Sequence, residues 1–208
     1  MCAHLLTDLG ADATKVEPHT GDDSRMSAPY VFRALHRNKR SVVLDLKKPG
    51  GDDMLERLVR ETDVVVYNYR LGVEERLGLG YERLKAINPN VIVCRMTAFG
   101  SHGERAHRGG YDASITALSG IAAMQAGEGN PPVSFAASDI PTGLGAATAI
   151  CLAIHARETQ GVGQHIDASM IGAMAYVGAD TFAGYAGKSA SPVFDSGQHG
   201  VGPAHRLY

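Results

Sequence analysis

The chain has 208 residues, of which 44% are hydrophobic, enough to bury one sizeable core. A formal net charge of -2 provides no basic footprint for nucleic acid or for an anionic membrane surface, so the expected partner is a small soluble ligand. Cys2, Cys94 and Cys151 are scattered and odd in number, which excludes a disulfide framework or a Cys-x-x-Cys pair and makes a reducing cytoplasm the expected compartment.

In chain order, AHLLTDL (3–9) reads as a helix stopped by Gly10, and ATKVE (13–17) as a short strand. A polar loop, PHTGDDSRMSAP (18–29), follows. SVVLDL (41–46) alternates like a strand, PGGDDMLERLVRET (49–62) is an amphipathic helix started by proline, and VVVY (64–67) is a strand covered on both faces. VEERLGLGYERLKAIN (73–88) forms two helical turns around Gly78 and Gly80, and VIVCRMTAFG (91–100) is another buried strand. Helices are expected over 111–124, 140–158 and 170–187, with a strand over 163–169 between the last two. The final twenty-one residues read as irregular, so residues 1–187 are expected to form one large domain and 188–208 a linker. Strands alternating with helices predict a Rossmann-like, doubly wound parallel α/β sheet with ligands at the carboxyl ends of its strands. Ile140 to Ile154, the longest mildly apolar run, reads as too short and too glycine-rich to span a bilayer.

Several chemistries are absent from the sequence. It has no His-Glu-x-x-His, no phosphate-binding Gly-x-x-x-x-Gly-Lys-[Ser/Thr] and no Gly-x-Ser-x-Gly elbow, and its nine histidines lack metal-ligand spacing. No metal is expected. Asp139 stands before the helical run IPTGLGAATAICLAI, with Pro141 near the first turn, a position that suits a helix cap. The same place suits a nucleophile, held ionised at the positive helix end with free N–H groups available to an oxyanion and room for substrate at Gly143 and Gly145. The segment NYRLGVEERLG (68–78) leaves a buried strand with a ring and guanidinium groups, suited either to a nucleotide-like ligand or to a solvated loop. The basic run RALHRNKRS (33–41) admits phosphate contact or plain solvation.

Six blocks in order, LLTDLGADATKVEP, NKRSVVLDLKKPGG, NYRLGVEERLGLGYERLKAINPNVIVCRMTAFG, GGYDASITALSG, NPPVSFAASDIPTGLGAA and GQHIDAS, resemble family III coenzyme A transferases. That family includes formyl-CoA and carnitine CoA-transferases and the related α-methylacyl-CoA racemases. The resemblance implies that Asp139 is the nucleophile, attacking an acyl-CoA thioester to form a mixed anhydride and then an aspartyl-CoA thioester before CoA passes to a carboxylic acid. It also implies that Asn68, Tyr69, Arg70 and Arg76 line the CoA site. Tyr111, Asp112 and Gly143 are placed in the substrate pocket, with Met124 and Phe135 as further walls. Coenzyme A enters as a substrate, and no separate cofactor is implied.

The racemase branch carries a histidine before the aspartate of the GGYDAS block, where this chain has Tyr111, a poor base at neutral pH. A transferase is therefore expected, with a racemase or a silent CoA-binding module as alternatives. Family members are longer, open with a strand before the first helix seen here, carry a second small domain and form interlocked homodimers. On that comparison the chain reads as a fragment lacking the first strand and the small domain. Gln160 and Val162 stand where threonine and arginine are usual.

Overall fold

The computed structural model describes residues 1–133 and 137–208. They divide into two compact units, Met1–Met96 with Gly143–Ala168, and Thr97–Thr142 with Ser169–Tyr208.

The first unit opens with α1 (Cys2–Asp8) and β1 (Ala13–Glu17), then α2 (Ser24–Ser27), α3 (Pro29–His36), β2 (Lys39–Val43), α4 (Gly51–Arg60), β3 (Val64–Tyr67), α5 (Val73–Arg76), α6 (Tyr81–Ile87) and β4 (Ile92–Thr97). The second unit holds α7 (Asp112–Leu118) and α8 (Ile121–Ala126). Helix α9 (Asp139–Gln160) starts in the second unit and continues through the first, where β5 (His165–Ser169) follows. The second unit finishes with α10 (Met170–Val177), α11 (Ala179–Phe182), β6 (Gly200–Gly202) and β7 (His205–Arg206).

The fold is α/β with parallel pairing: β1 runs parallel to β2 from Ala13↔Lys39 to Glu17↔Val43, and β3 parallel to β4 from Val64↔Ile92 to Tyr67↔Arg95. Among the described residues strands β1 to β5 form two sheets, one of β1 and β2 and one ordered β3-β4-β5, and β6 and β7 form a third. The residues expected as a terminal linker carry the antiparallel hairpin β6-β7.

Local chemistry accounts for most boundaries. The β-branched run of β3 is a poor helix former and a good strand former. In α4, Leu55 and Val59 fall on one face and are buried, while Asp52 and Asp53 sit in the first turn and Arg57 and Arg60 in the last, complementing the helix dipole. Helix α4 begins two residues after Pro49 because Gly50 adopts φ 83°, and a side chain at Gly51 would meet the Asp45 carbonyl at 2.4 Å. The helix expected over 111–124 is broken at Gly120, φ 79°, giving α7 and α8. The stretch expected as one loop before residue 30 contains α2 and the proline-initiated start of α3.

Two apolar clusters form the core of the first unit. Leu55, Val59, Tyr67, Leu79, Leu84, Val91 and Val93 make one; Cys2, Cys94, Ala146, Ala147 and Ile150 make the other. By length and composition the 22-residue α9, whose most apolar 18-residue window has a mean hydropathy of 1.2, is long and apolar enough to cross a membrane, a test that the core helix of a soluble protein also passes. Its Ala146, Ala147 and Ile150 face is buried in the second cluster. The basic run is partly committed to ion pairs, Arg37 with Asp8 and Arg40 with Asp12.

At the end of β1, Glu17 is buried and receives two hydrogen bonds from Arg25 at 2.8 Å and one from Ser41. The Arg25 bonds are the main cause of a carboxyl pKa lowered from 4.5 to about 2, against the opposing effect of burial. A depressed carboxyl stabilises the fold above its unfolded value and loses that contribution as pH falls. Acid unfolding should therefore show a Glu17 contribution that disappears between pH 4.5 and about 2, and Glu17→Gln should flatten that limb. Leu84→Ala, at a fully buried site, should cost about 2–5 kcal/mol in urea unfolding.

Candidate active site

Asp139 is the first residue of α9, as its sequence position suggested, but it is not the capping group. The cap comes from Asp112, at the start of α7. Asp112 Oδ1 accepts the backbone N–H groups of Ala137 at 2.9 Å and Ser138 at 3.3 Å, and Oδ2 accepts that of Asp139 at 2.9 Å. Thr116 Oγ1 donates to Oδ1 at 3.0 Å, one turn along α7. Ser138 Oγ donates to the Asp112 carbonyl oxygen, and Thr142 Oγ1 donates to the Ser138 carbonyl oxygen at 2.6 Å. From the first turn of α7, one carboxylate thus caps the amino end of α9, where the helix dipole favours negative charge.

The amides of Ala137, Ser138 and Asp139, among those near the helix start, are committed to Asp112. The carboxylate of Asp139 is left without a hydrogen-bond partner among the described residues, and the residue is exposed. The two acids are pushed in opposite directions. Burial raises the Asp112 carboxyl, but the hydrogen bonds from Asp139, Ser138, Thr116 and Ala137 together outweigh it and hold the pKa below 3.8. At Asp139, loss of hydration and then the nearby Asp112 charge push the carboxyl above 3.8. Asp112 therefore has the stabilised charge, and Asp139 is the more basic partner, its carboxyl raised rather than lowered at the helix end.

The other residues singled out from sequence fall in several places. Tyr111 is 79% exposed, and its backbone N–H donates to Ser114 Oγ at 2.9 Å. Met124 is partly buried and packs against Ala98, Ile115, Ile121 and Met174 in the core of the second unit. Phe135 lies outside the described residues. Gly143 does not leave room for substrate: a Cβ there would meet Met1 Cβ at 2.6 Å, so the missing side chain serves close packing against the start of α1. Gly145 has open space beside it.

Asn68, Tyr69, Arg70 and Arg76 lie on one exposed segment after β3, at the carboxyl end of that strand where open α/β sheets bind ligands. The Tyr69 ring stacks on Tyr67 with centroids 6.0 Å apart. Asn68, Arg70 and Arg76 make no side-chain hydrogen bond or ion pair among the described residues. A cleft of about 470 Å³ lined by Arg60, Asp63, Asn88 and Arg157 contains none of these residues. It sits by Asp63 and Asn90, which precede β3 and β4, at the end of the strands where such ligands are not expected. Among the described residues no group of three His, Cys, Asp or Glu side chains is arranged to hold a metal ion.

The Asp112 cap has a measurable weight. Asp112→Ala should destabilise the chain by about 1–2 kcal/mol in urea unfolding at neutral pH. The contribution is present above the ordinary carboxyl value of 3.8 and lost as pH falls through the depressed Asp112 pKa, so parent and variant should converge in acid.

The model of CoA-transferase family III matches residues 1–208. The chain is 40% identical to an acetyl-CoA:oxalate CoA-transferase of Acetobacter aceti over 83% of this chain and 47% of that one. It is 38% identical to a succinate–glutarate CoA-transferase of Agrobacterium fabrum, covering 80% and 46%, and 38% identical to human alpha-methylacyl-CoA racemase, covering 85% and 45%. It therefore spans about half the length of these relatives. Among solved structures, a CAIB/BAIF family protein from Brucella suis superposes with a TM-score of 0.85 at 39% identity, over 92% of this chain and 55% of that one. A match along the whole chain, with sequence and fold in agreement, places this protein in CoA-transferase family III.

Proposed function

We propose that the protein moves coenzyme A from an acyl-CoA to a carboxylic acid with Asp139 as covalent nucleophile. The observation that carries this reading is the division of labour between the two acids: Asp112 is occupied by backbone amides, while Asp139 is exposed, has no side-chain hydrogen bond among the described residues and is the more basic of the pair. The names of the transferase relatives point to small dicarboxylic acids such as oxalate, succinate and glutarate as acids to test.

An Asp139 oxygen attacks the thioester carbonyl, the C–S bond breaks and CoA leaves as thiolate. The thiolate then attacks the Asp139 carbonyl of the resulting anhydride, releasing the first acid with one former Asp139 oxygen. The acceptor carboxylate attacks the aspartyl-CoA and expels the thiolate, which returns to the acceptor carbonyl and leaves an acceptor oxygen on Asp139. Splitting the exchange lowers each barrier. Asn68, Tyr69, Arg70 and Arg76 would hold the CoA, the ring by stacking and the guanidinium groups on its phosphates. The functional form is proposed as a cytoplasmic homodimer.

The racemase reading is supported by the similarity to the human racemase and by the raised pKa of Asp139. It needs a second proton-transfer group, and the adjacent Asp112 is engaged by three amides, which favours transfer.

Incubation with acetyl-, succinyl- and oxalyl-CoA, hydroxylamine trapping and peptide mapping should give a hydroxamate at Asp139, absent in Asp139→Ala. A modification that survives the substitution would overturn the assignment. With an oxygen-18 carboxylate acceptor, turnover should leave label on Asp139. Rapid α-deuterium exchange of a 2-methylacyl-CoA without any acceptor acid would instead favour the racemase.

A further inference from the structure

The segment from Asn68 to Arg76 contains only the single turn α5, whose four residues are too few to hold their own geometry by helical hydrogen bonds. It is entered through Gly72 at φ 86°, with no side-chain cap. One of its side chains turns inward: Glu74 is 2% exposed, whereas its neighbours Glu75 and Arg76 are exposed.

Glu74 Oε1 accepts a hydrogen bond from Arg95 on β4 at 2.9 Å, with side chains 3% and 8% exposed. The Arg95 Nε lies 3.5 Å from Asp167 Oδ1 on β5, so one guanidinium spans two carboxylates from different elements. Glu74 Oε2 is buried without a hydrogen bond, which leaves Arg95 as the hydrogen-bonding partner that orients this carboxylate. Arg95 is itself fixed by its strand, since it pairs in register with Tyr67, the last residue of β3 before the segment begins. Tyr67 and Tyr69 are stacked, which ties the near end of the segment to the same place.

A buried ion pair seldom adds stability over apolar residues of the same volume, because both charges lose hydration. What a guanidinium adds is direction: its planar donors accept a carboxylate over a narrow range of angles. Apolar packing by Leu77 and Leu79 would keep the segment near the sheet, but it carries no comparable angular constraint.

We infer that Arg95, through its ion pair with Glu74, is the positioning residue that sets the register of the segment Asn68–Arg76 and so aims Tyr69, Arg70 and Arg76 at coenzyme A. The inference rests on the CoA reading of that segment. Arg95 does not touch the ligand; it acts through Glu74.

Two measurements separate this inference from that reading. The first is hydrogen exchange of backbone amides in the ligand-free chain, for the parent, Arg95→Lys and the double variant Glu74→Leu/Arg95→Met, which removes both charges of the buried pair while Asp167, whose side chain is 26% exposed, keeps access to water. Amides 69–77 should exchange about tenfold faster in the double variant and less so in Arg95→Lys, while β4 and α9 amides and the urea midpoint stay close to the parent. The second is CoA affinity by equilibrium dialysis, expected to weaken about tenfold in the double variant and by less in Arg95→Lys. Unchanged exchange in the segment would overturn the inference, as would a double variant that binds CoA as tightly as the parent. A parent chain that does not bind CoA would overturn the CoA reading, whereas the exchange data would still decide whether Arg95 holds the segment.

Discussion

The Asp112 carboxylate, lodged between the amino ends of two helices, is the constraint on which the candidate chemistry depends. By accepting the amides of Ala137, Ser138 and Asp139, it settles where α9 begins and which of two adjacent acids has its charge stabilised by hydrogen bonds. A helix start needs acceptors for its orphan N–H groups, and an ionised carboxylate answers that need more strongly than a neutral side chain. The consequence for Asp139 is indirect. Freed from capping, its carboxyl is raised first by loss of hydration and then by the neighbouring Asp112 charge, which makes it the more basic acid. That asymmetry suits the proposed nucleophile, because reactivity and structural support reside in different residues.

The first unit applies a related solution at its own exposed segment. Glu74 and Arg95 are buried charges at the end of a parallel sheet, and Asp167 adds a second carboxylate beside the guanidinium. Such a cluster is costly to desolvate, so its value lies in fixing an orientation. In both units a carboxylate turned toward the protein holds the backbone, and polar side chains on the same short segment remain exposed.

The repeating architecture was legible because it follows from local chemistry. Val64 to Tyr67 reads as a strand from its β-branched residues alone, and the small-residue run after Asp139 reads as a helix. The breaks at Gly120 and before Gly51 were less visible, since they depend on single glycine conformations. Pro29 marked the start of α3, but the polar residues before it favoured a loop reading. The Asp112 cap was hidden for a different reason: its acceptor stands twenty-seven residues before Asp139, and a local pattern assigns the cap to whichever acid is adjacent. Gly143 was misread as open space because the chain that fills it, Met1, is remote in sequence. Arg95 passed unnoticed inside an apolar strand, although a lone arginine among buried residues is itself a signal that a buried acid must lie opposite. The family resemblance marked Asp139, Asp112 and the Asn68–Arg76 segment, but neither the capping role of Asp112 nor Arg95.

The account turns on Asp139 being the more basic of the two acids, through loss of hydration and then the Asp112 charge, and the most direct measurement is a carbon-13 carboxyl NMR titration of the ligand-free chain and its Asp112→Asn variant. The account predicts that Asp139 titrates above 3.8 in the parent and Asp112 below it, and that removing the Asp112 charge lowers the Asp139 pKa. An Asp139 that titrates at or below 3.8 in the parent, or that does not respond to Asp112→Asn, would contradict it.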